Sequence, residues 1–198
     1  ETHKFRAEEE AGRMIYSGFG TPVDRAEPTL QRIDESNPAN INIVRFNDEY
    51  LALWEAGRPY RIDPLTLATL GTASWMEERA SAPSSAHPKV DREGNLWNFG
   101  VDPLNDRLLA YRVSPAGKID WRCDIHVKQI APAHDFAVTE RHLVFVLPSI
   151  TCNVDRLMKG AAFAEACQWS PDLGMRVLVV NKSDANARMY ELPPGCLF

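Results

Sequence analysis

The spacing of hydrophobic and polar positions changes character near Asn40. Upstream, the charged lead from Glu1 to Arg13 reads as a loop or a helical turn, and Gly18-Phe19-Gly20-Thr21-Pro22 reads as a loop. From Asn40 onward the period is two: Ile41, Ile43 and Arg45 alternate with Asn42, Val44 and Phe46. A polar turn at Asn47-Asp48-Glu49 then leads into the apolar run Tyr50 to Trp54, which is a hairpin pattern. Gly57-Arg58-Pro59 turns the chain into Tyr60-Arg61-Ile62-Asp63, so one stretch supplies three short strands in succession.

The same order recurs further along. Strands are expected at Asn95 to Gly100, Arg107 to Val113 and Lys118 to Arg122, separated by turns at Asp102-Pro103-Leu104-Asn105-Asp106 and Ser114-Pro115-Ala116-Gly117. Tyr60-Arg61-Ile62 and Tyr111-Arg112-Val113 lie 51 residues apart, each heading for a proline turn. A period near 50 with several short strands per unit points to propeller blades rather than a sandwich. Further strands are expected at His134 to Thr139, Leu143 to Leu147, Met175 to Asn181 and Arg188 to Leu192, with the Ala-rich Asp155 to Cys167 as a short surface helix or lid.

Composition narrows the class. The 198 residues are 44% hydrophobic and 25% charged, enough to bury a core and neither disordered nor low in complexity. A net charge of -5 supplies no broad basic field, so electrostatic capture of nucleic acid is disfavoured, while small neutral ligands stay compatible. No apolar run approaches the ~20 residues of a membrane-spanning helix, and Glu1 to Arg6 is no signal-peptide core, so a cytoplasmic location is expected. Cys123, Cys152, Cys167 and Cys196 form no CxxC pair, which argues against a zinc ribbon and for reduced thiols. Gly18 and Gly20 make no phosphate loop, because no Lys-Ser/Thr follows them.

Chemistry is concentrated in two histidine segments, Ala86-His87-Pro88-Lys89-Val90-Asp91 and His134-Asp135-Phe136-Ala137-Val138-Thr139-Glu140. In an extended run His134 shares a face with Phe136 and Val138, where a neutral imidazole needs a partner for each nitrogen. Backbone carbonyls would serve in a core histidine; a metal on one nitrogen with a carboxylate on the other would serve equally. Pro88 forces His87 into extended geometry, as a strand end or a loop pair requires. Glu55 closes the apolar run Tyr50 to Trp54, where a carboxylate is either solvated or held for a purpose. His142, placed in a turn, together with His126 and His3, is given no metal role, and Trp97, Trp121 and Trp169 are expected to pack between blades.

These segments, together with Leu51-Ala52-Leu53-Trp54-Glu55-Ala56-Gly57 and Tyr60-Arg61-Ile62-Asp63-Pro64 to Leu70-Gly71, resemble the carotenoid cleavage oxygenase family from about Lys4 to Phe198. The resemblance implies an all-β fold, part of a seven-bladed β-propeller with short helical or loop insertions, and residues 1–198 as one incomplete domain of central blades. It implies Fe(2+) held by four histidines, of which His87 and His134 would be two. The third would follow Phe198 almost at once and the fourth would lie near the C-terminus of the complete protein, making this chain an internal fragment. It implies further that Glu55 accepts the Nδ1 proton of a ligand histidine, His134 here, and that Trp54 contacts substrate. Ser85 stands where family members often carry Thr, and both keep a hydroxyl.

Imidazole ligands suit iron, copper and zinc alike, so iron is implied by the family and not by ligand type. The implied reaction is cleavage of a conjugated C=C bond of a carotenoid, apocarotenoid or related polyene by O2 into two carbonyl products. Members that cleave phenolic stilbenes carry a lysine before the glutamate, where this chain has Trp54, which argues for an apolar polyene. An apolar substrate allows peripheral membrane contact in the complete protein. Two alternatives stand beside this reading: a metal-free propeller interaction module, and stilbene cleavage or isomerisation on the same iron-bearing fold.

Overall fold

The computed structural model describes residues 1–23, 30, 32–73, 75, 83–130 and 132–196. Two compact units are formed, Glu1–Ser84 with Asn153–Cys167, and Ser85–Cys152 with Gln168–Phe198.

In the first unit the charged lead is a helix, α1 (His3–Ala11), capped by the Thr2 side chain accepting the Phe5 N–H and ended by Gly12 in the left-handed region. The meander expected from Asn40 onward is a four-stranded antiparallel sheet of β1 (Asn42–Phe46), β2 (Glu49–Leu53), β3 (Tyr60–Ile62) and β4 (Thr69–Thr72). Val44 pairs with Leu51 and Leu51 with Arg61. Leu51 and Leu53 of β2 are buried, as is Phe46, whose ring meets Trp75 edge-on at 5.6 Å. On β1 the buried face is that of Phe46 and Val44, while Ile41 and Ile43 are exposed.

The turn between β2 and β3 is fixed by charge. Asp34, in a short 3-10 turn, accepts from both the backbone N–H and the Nε of Arg58 at 2.7 Å, and buried Asn37 donates to the Arg58 carbonyl at 3.0 Å. Asn37 and Asp34 pack so closely on Gly57 that no Cβ fits there. The Ala-rich segment makes two short helices, α2 (Val154–Met158), capped by the Asn153 side chain, and α3 (Phe163–Ala166).

The second unit holds two further four-stranded antiparallel sheets. One is β5 (Lys89–Val90), β6 (Leu96–Asp102), β7 (Arg107–Val113) and β8 (Ile119–His126), in chain order. The other takes β9 (Phe136–Val138), β10 (His142–Leu147), β13 (Met175–Asn181) and β14 (Ala187–Leu192), with β11 (Ile150–Cys152) and β12 (Cys167–Trp169) as a separate two-stranded sheet in the chain between β10 and β13. The tripeptides 51 residues apart occupy third strands, β3 and the end of β7. Four-stranded meanders repeated at this period are propeller blades, and the fold is all-β as expected.

One apolar core joins the two sheets of this unit. Phe99 of β6 meets Phe136 of β9 and Phe145 of β10 edge-on, each at 5.1 Å, and Phe136 and Phe145 stack at 5.4 Å. Such offset and edge contacts add to the burial gain of each ring. Trp97 and Trp121 pack at 5.3 Å as expected of blade residues, and the Trp121 Nε1 donates to the Lys182 carbonyl at 2.9 Å. Trp169 differs: it lies exposed on β12, a strand belonging to neither blade.

Among its described residues the segment between β8 and β9 forms no strand, and it is fastened by Arg176 of β13. Its guanidinium donates to the Lys128 carbonyl at 2.7 Å and the Gln129 carbonyl at 2.8 Å, and burial lowers its pKa. Val127, Ile130 and Ala133 of the same segment enter the core. The four cysteines are thiols, not disulfides. Among the described residues no helix is long and apolar enough to cross a membrane.

Phe145→Ala should therefore cost about 3–5 kcal/mol, the range for deleting a buried aromatic ring, whereas Phe145→Leu, which keeps most of the volume, should cost about half as much or less. Equilibrium denaturation of the protein followed by tryptophan fluorescence measures both.

Candidate metal centre

His87 and His134 both lie in the second unit, and both stand two residues ahead of the first strand of a sheet: His87 before β5, His134 before β9. The expected strand from His134 to Thr139 is shorter, Phe136–Val138. Ladder pairing runs only from Phe136, opposite Phe145, to Val138, opposite Leu143, while Pro132 lacks an N–H and the Asp135 carboxylate accepts the Phe136 N–H at 2.7 Å. Thr139 already belongs to the turn, its N–H donating to the His142 carbonyl at 2.9 Å. His134 is thus aimed by unladdered backbone, although the alternation holds further on, with Phe136 buried and Ala137 exposed.

The two imidazoles converge. Their centroids are 4.4 Å apart with the planes inclined by 59°, and a nitrogen of one ring lies within 4.8 Å of a nitrogen of the other. A cation about 2.1 Å from each imidazole nitrogen spans up to ~4 Å between them, which is the scale of this separation. Both rings are half-buried.

Electrostatics favour the ligand form. Burial lowers the pKa of His87, the neighbouring His134 and the Lys89 ammonium lower it further, and Asp135 opposes them. A lowered pKa keeps the imidazole neutral, with a lone pair to offer. Lys89 and Asp135 form an ion pair at 2.8 Å. Burial would raise the Asp135 pKa, but the Lys89 hydrogen bond and the Phe136 N–H more than offset it, and the carboxyl stays below its ordinary value.

The backbone around the rings is tied to β6. Buried Ser85 donates its N–H to the Phe99 carbonyl at 2.7 Å and accepts from the Asn98 side chain on its own carbonyl at 3.1 Å. Its hydroxyl accepts the His87 N–H at 3.0 Å. The sequence marked Ser85 only as a Thr equivalent, and its bonding to the second sheet has no local signature.

Glu55 and Trp54 lie in the first unit, half-buried in the turn that follows β2 and that Asp34 and Asn37 clamp. His126 ends β8 and His3 begins α1, where its Nδ1 lies 3.3 Å from the Glu35 carbonyl. His142, expected in a turn, instead opens β10 opposite Asn181, because the turn closes one residue earlier at Arg141. A pair of converging imidazoles fits a divalent transition metal such as iron and could supply part of its coordination.

The chain is similar to known proteins over its whole length. The family model described as retinal pigment epithelial membrane protein matches residues 1–198. Resveratrol cleavage oxygenase 1 of Aspergillus fumigatus is 32% identical over 188 residues, covering 93% of this chain and 36% of that protein. Apocarotenoid-15,15'-oxygenase of Synechocystis is 30% identical over 209 residues, covering 100% and 43%. A solved Synechocystis apocarotenoid oxygenase superposes with a TM-score of 0.82 at 27% identity, covering 98% of this chain and 43% of that one. Lignostilbene dioxygenase of Pseudomonas brassicacearum gives 0.80 at 28%, covering 96% and 40%. The chain thus spans roughly two fifths of the length of these relatives.

Because the His87 pKa is lowered in the fold, its contribution to stability is complete above the unfolded value near 6.5 and is lost as pH falls through the folded value. Thermal unfolding of the metal-free protein between pH 7.5 and 5 should show the midpoint falling with pH. His87→Gln should flatten that fall. A slope unchanged in the variant would show that the buried imidazole is not its source.

Proposed function

Since the chain belongs to the retinal pigment epithelial membrane protein family of carotenoid oxygenases, we propose that the protein of which it forms part is a non-heme iron(II) dioxygenase cleaving a conjugated C=C bond. The observation that carries this reading is the convergence of His87 and His134, delivered from the approaches to two different sheets. The balance is one alkene and one O2 giving two carbonyl products, with both oxygen atoms retained and no external reductant.

His87 and His134 would hold the iron as two of four imidazole ligands, neutral, so that the ion keeps its full charge. Iron(II) so bound supplies O2 activation. Glu55 would accept the Nδ1 proton of His134, fixing its tautomer and orientation and adding electron density to the ligand; the family resemblance supports this role. Trp54, next to Glu55, would contribute an apolar surface to the substrate, supported by the half-buried position of both residues. No protein acid or base is needed to transfer protons, because none is gained or lost between alkene and carbonyls.

The substrate class we propose is a carotenoid, an apocarotenoid or a related apolar polyene. Support comes from Trp54 in the place of a phenol-binding lysine and from the relative named apocarotenoid-15,15'-oxygenase. A stilbene or another phenylpropanoid alkene is the second reading, favoured by relatives named resveratrol cleavage oxygenase, isoeugenol monooxygenase and lignostilbene dioxygenase. Cytoplasmic location, with peripheral membrane contact to collect substrate, completes the proposal; the thiol state of the cysteines supports the first part.

In the full-length protein reconstituted anaerobically with ferrous iron, His134→Ala should abolish cleavage of apocarotenals and of resveratrol while leaving the circular dichroism spectrum unchanged. Glu55→Gln should lower turnover about 10–100-fold, the usual cost of losing the partner of a ligand histidine. Normal turnover in the folded His134→Ala variant would end the proposal, and the two substrates, assayed in parallel, decide between polyene and stilbene.

A further inference from the structure

The backbones carrying the two imidazoles are joined by a side chain outside the ligand set. Ser85 is 1% exposed. Its Oγ accepts the N–H of His87 at 3.0 Å and donates to the carbonyl of His134 at 3.5 Å, a long bond between segments 49 residues apart. Its own backbone is fixed on both sides to β6, the N–H on the Phe99 carbonyl and the carbonyl on the side chain of Asn98, itself buried. A hydroxyl is one donor with acceptor lone pairs, so it is suited to joining an N–H on one side to a carbonyl on the other. Alanine would keep neither bond.

A second tie crosses between the same two segments. The Lys89 ammonium, two residues beyond His87, pairs with the Asp135 carboxylate, one residue beyond His134, at 2.8 Å, and lies 5.9 Å from the centre of the Phe136 ring. This pair is half-exposed, and exposed ion pairs hold little free energy. The buried hydroxyl is the stronger constraint, since leaving its partners unmet inside the protein carries a desolvation cost.

We propose that Ser85 is a positioning residue whose hydroxyl sets the separation and orientation of His87 and His134 before any metal arrives, with the Lys89–Asp135 pair as the weaker outer brace. The inference rests on the metal-site reading for its consequence but not for its geometry. Preorganised ligands pay less ordering cost on binding an ion, and outer partners of metal ligands typically govern affinity 10–100-fold. In these bonds the Ser85 hydroxyl meets backbone groups of both histidines, so it positions the rings through the chain that carries them.

The test compares wild type, Ser85→Ala, Ser85→Thr and Lys89→Gln in the full-length protein. Two readouts are taken. Histidine-selective isotope labelling gives the cross-relaxation between ring protons of His87 and His134 in the metal-free state, and anaerobic titration with Fe(II), and with Co(II) as a spectroscopic probe, gives affinity. Ser85→Ala should weaken the ring-to-ring signal and lower affinity for both ions about 10–100-fold, Ser85→Thr should restore both, and Lys89→Gln should change affinity less than Ser85→Ala does.

An unchanged ring-to-ring signal in Ser85→Ala overturns the inference whatever the metal does, as does a loss that Ser85→Thr fails to restore in a protein that keeps its circular dichroism spectrum. Wild type that shows the ring contact, loses it in Ser85→Ala and yet binds neither ion supports the positioning role and overturns the metal reading instead.

Discussion

The stacking of Phe136 on Phe145, with Phe99 driven edge-on against both, is the contact on which the site depends. Phe136 is the first laddered residue after His134, and Phe99 carries the carbonyl that receives the N–H of Ser85. One aromatic cluster therefore ends where both histidine segments begin. Because close-packed interiors tolerate little displacement, the core fixes the starting points of the two segments to within the tolerance of packed rings. The polar ties then have only a residue or two of free backbone to orient. A reversal of that order, with polar bonds locating the segments and the core filling in, would leave half-exposed groups such as Lys89 and Asp135 carrying a task they are too weakly bound to perform.

Charge and burial work together around the rings. Burial depresses the basicity of His87, and the proximity of a second imidazole depresses it further, because two imidazolium ions side by side repel. Among the described residues Asp135 opposes that lowering of His87, and its own charge is already committed to Lys89. The result is that the fold holds His87 toward its neutral form, which a metal requires of a ligand.

The blades were legible in the sequence because strand periodicity and turn chemistry are local. Met175 to Asn181 and Arg107 to Val113 coincide with β13 and β7, and the 51-residue offset of Tyr60 and Tyr111 marks equivalent third strands. The third blade broke the period, since β11, α2, α3 and β12 stand between β10 and β13, and no repeat offset can cross an insertion of unknown length. Trp169 misled for the same reason: aromatic identity suggests packing, but its strand lies in that insertion. His134 was legible as a site residue and not as to backbone, because an apolar alternation continues through residues outside the strand ladder. The roles of Arg176 and Ser85 were invisible, since each bonds to carbonyls more than 40 positions away that only the tertiary fold brings near.

The placement of each histidine two residues ahead of a first strand has a physical logic. Inside a ladder, a side chain's direction is set by the pleat and by pairing register, and a change in either moves it with the whole strand. Just outside the ladder, direction is set by a few specific hydrogen bonds, here those of Ser85 and its anchor on β6, while the strand beyond is free to vary in length and sequence. Blade interiors away from the Phe99–Phe136–Phe145 cluster can then be repacked for stability without shifting the ligands. The cost is that the unladdered residues must have their polar groups met individually, which accounts for buried Ser85 and for the buried Asn98 side chain of β6 that meets its carbonyl, beside the apolar Ala86 and Phe99.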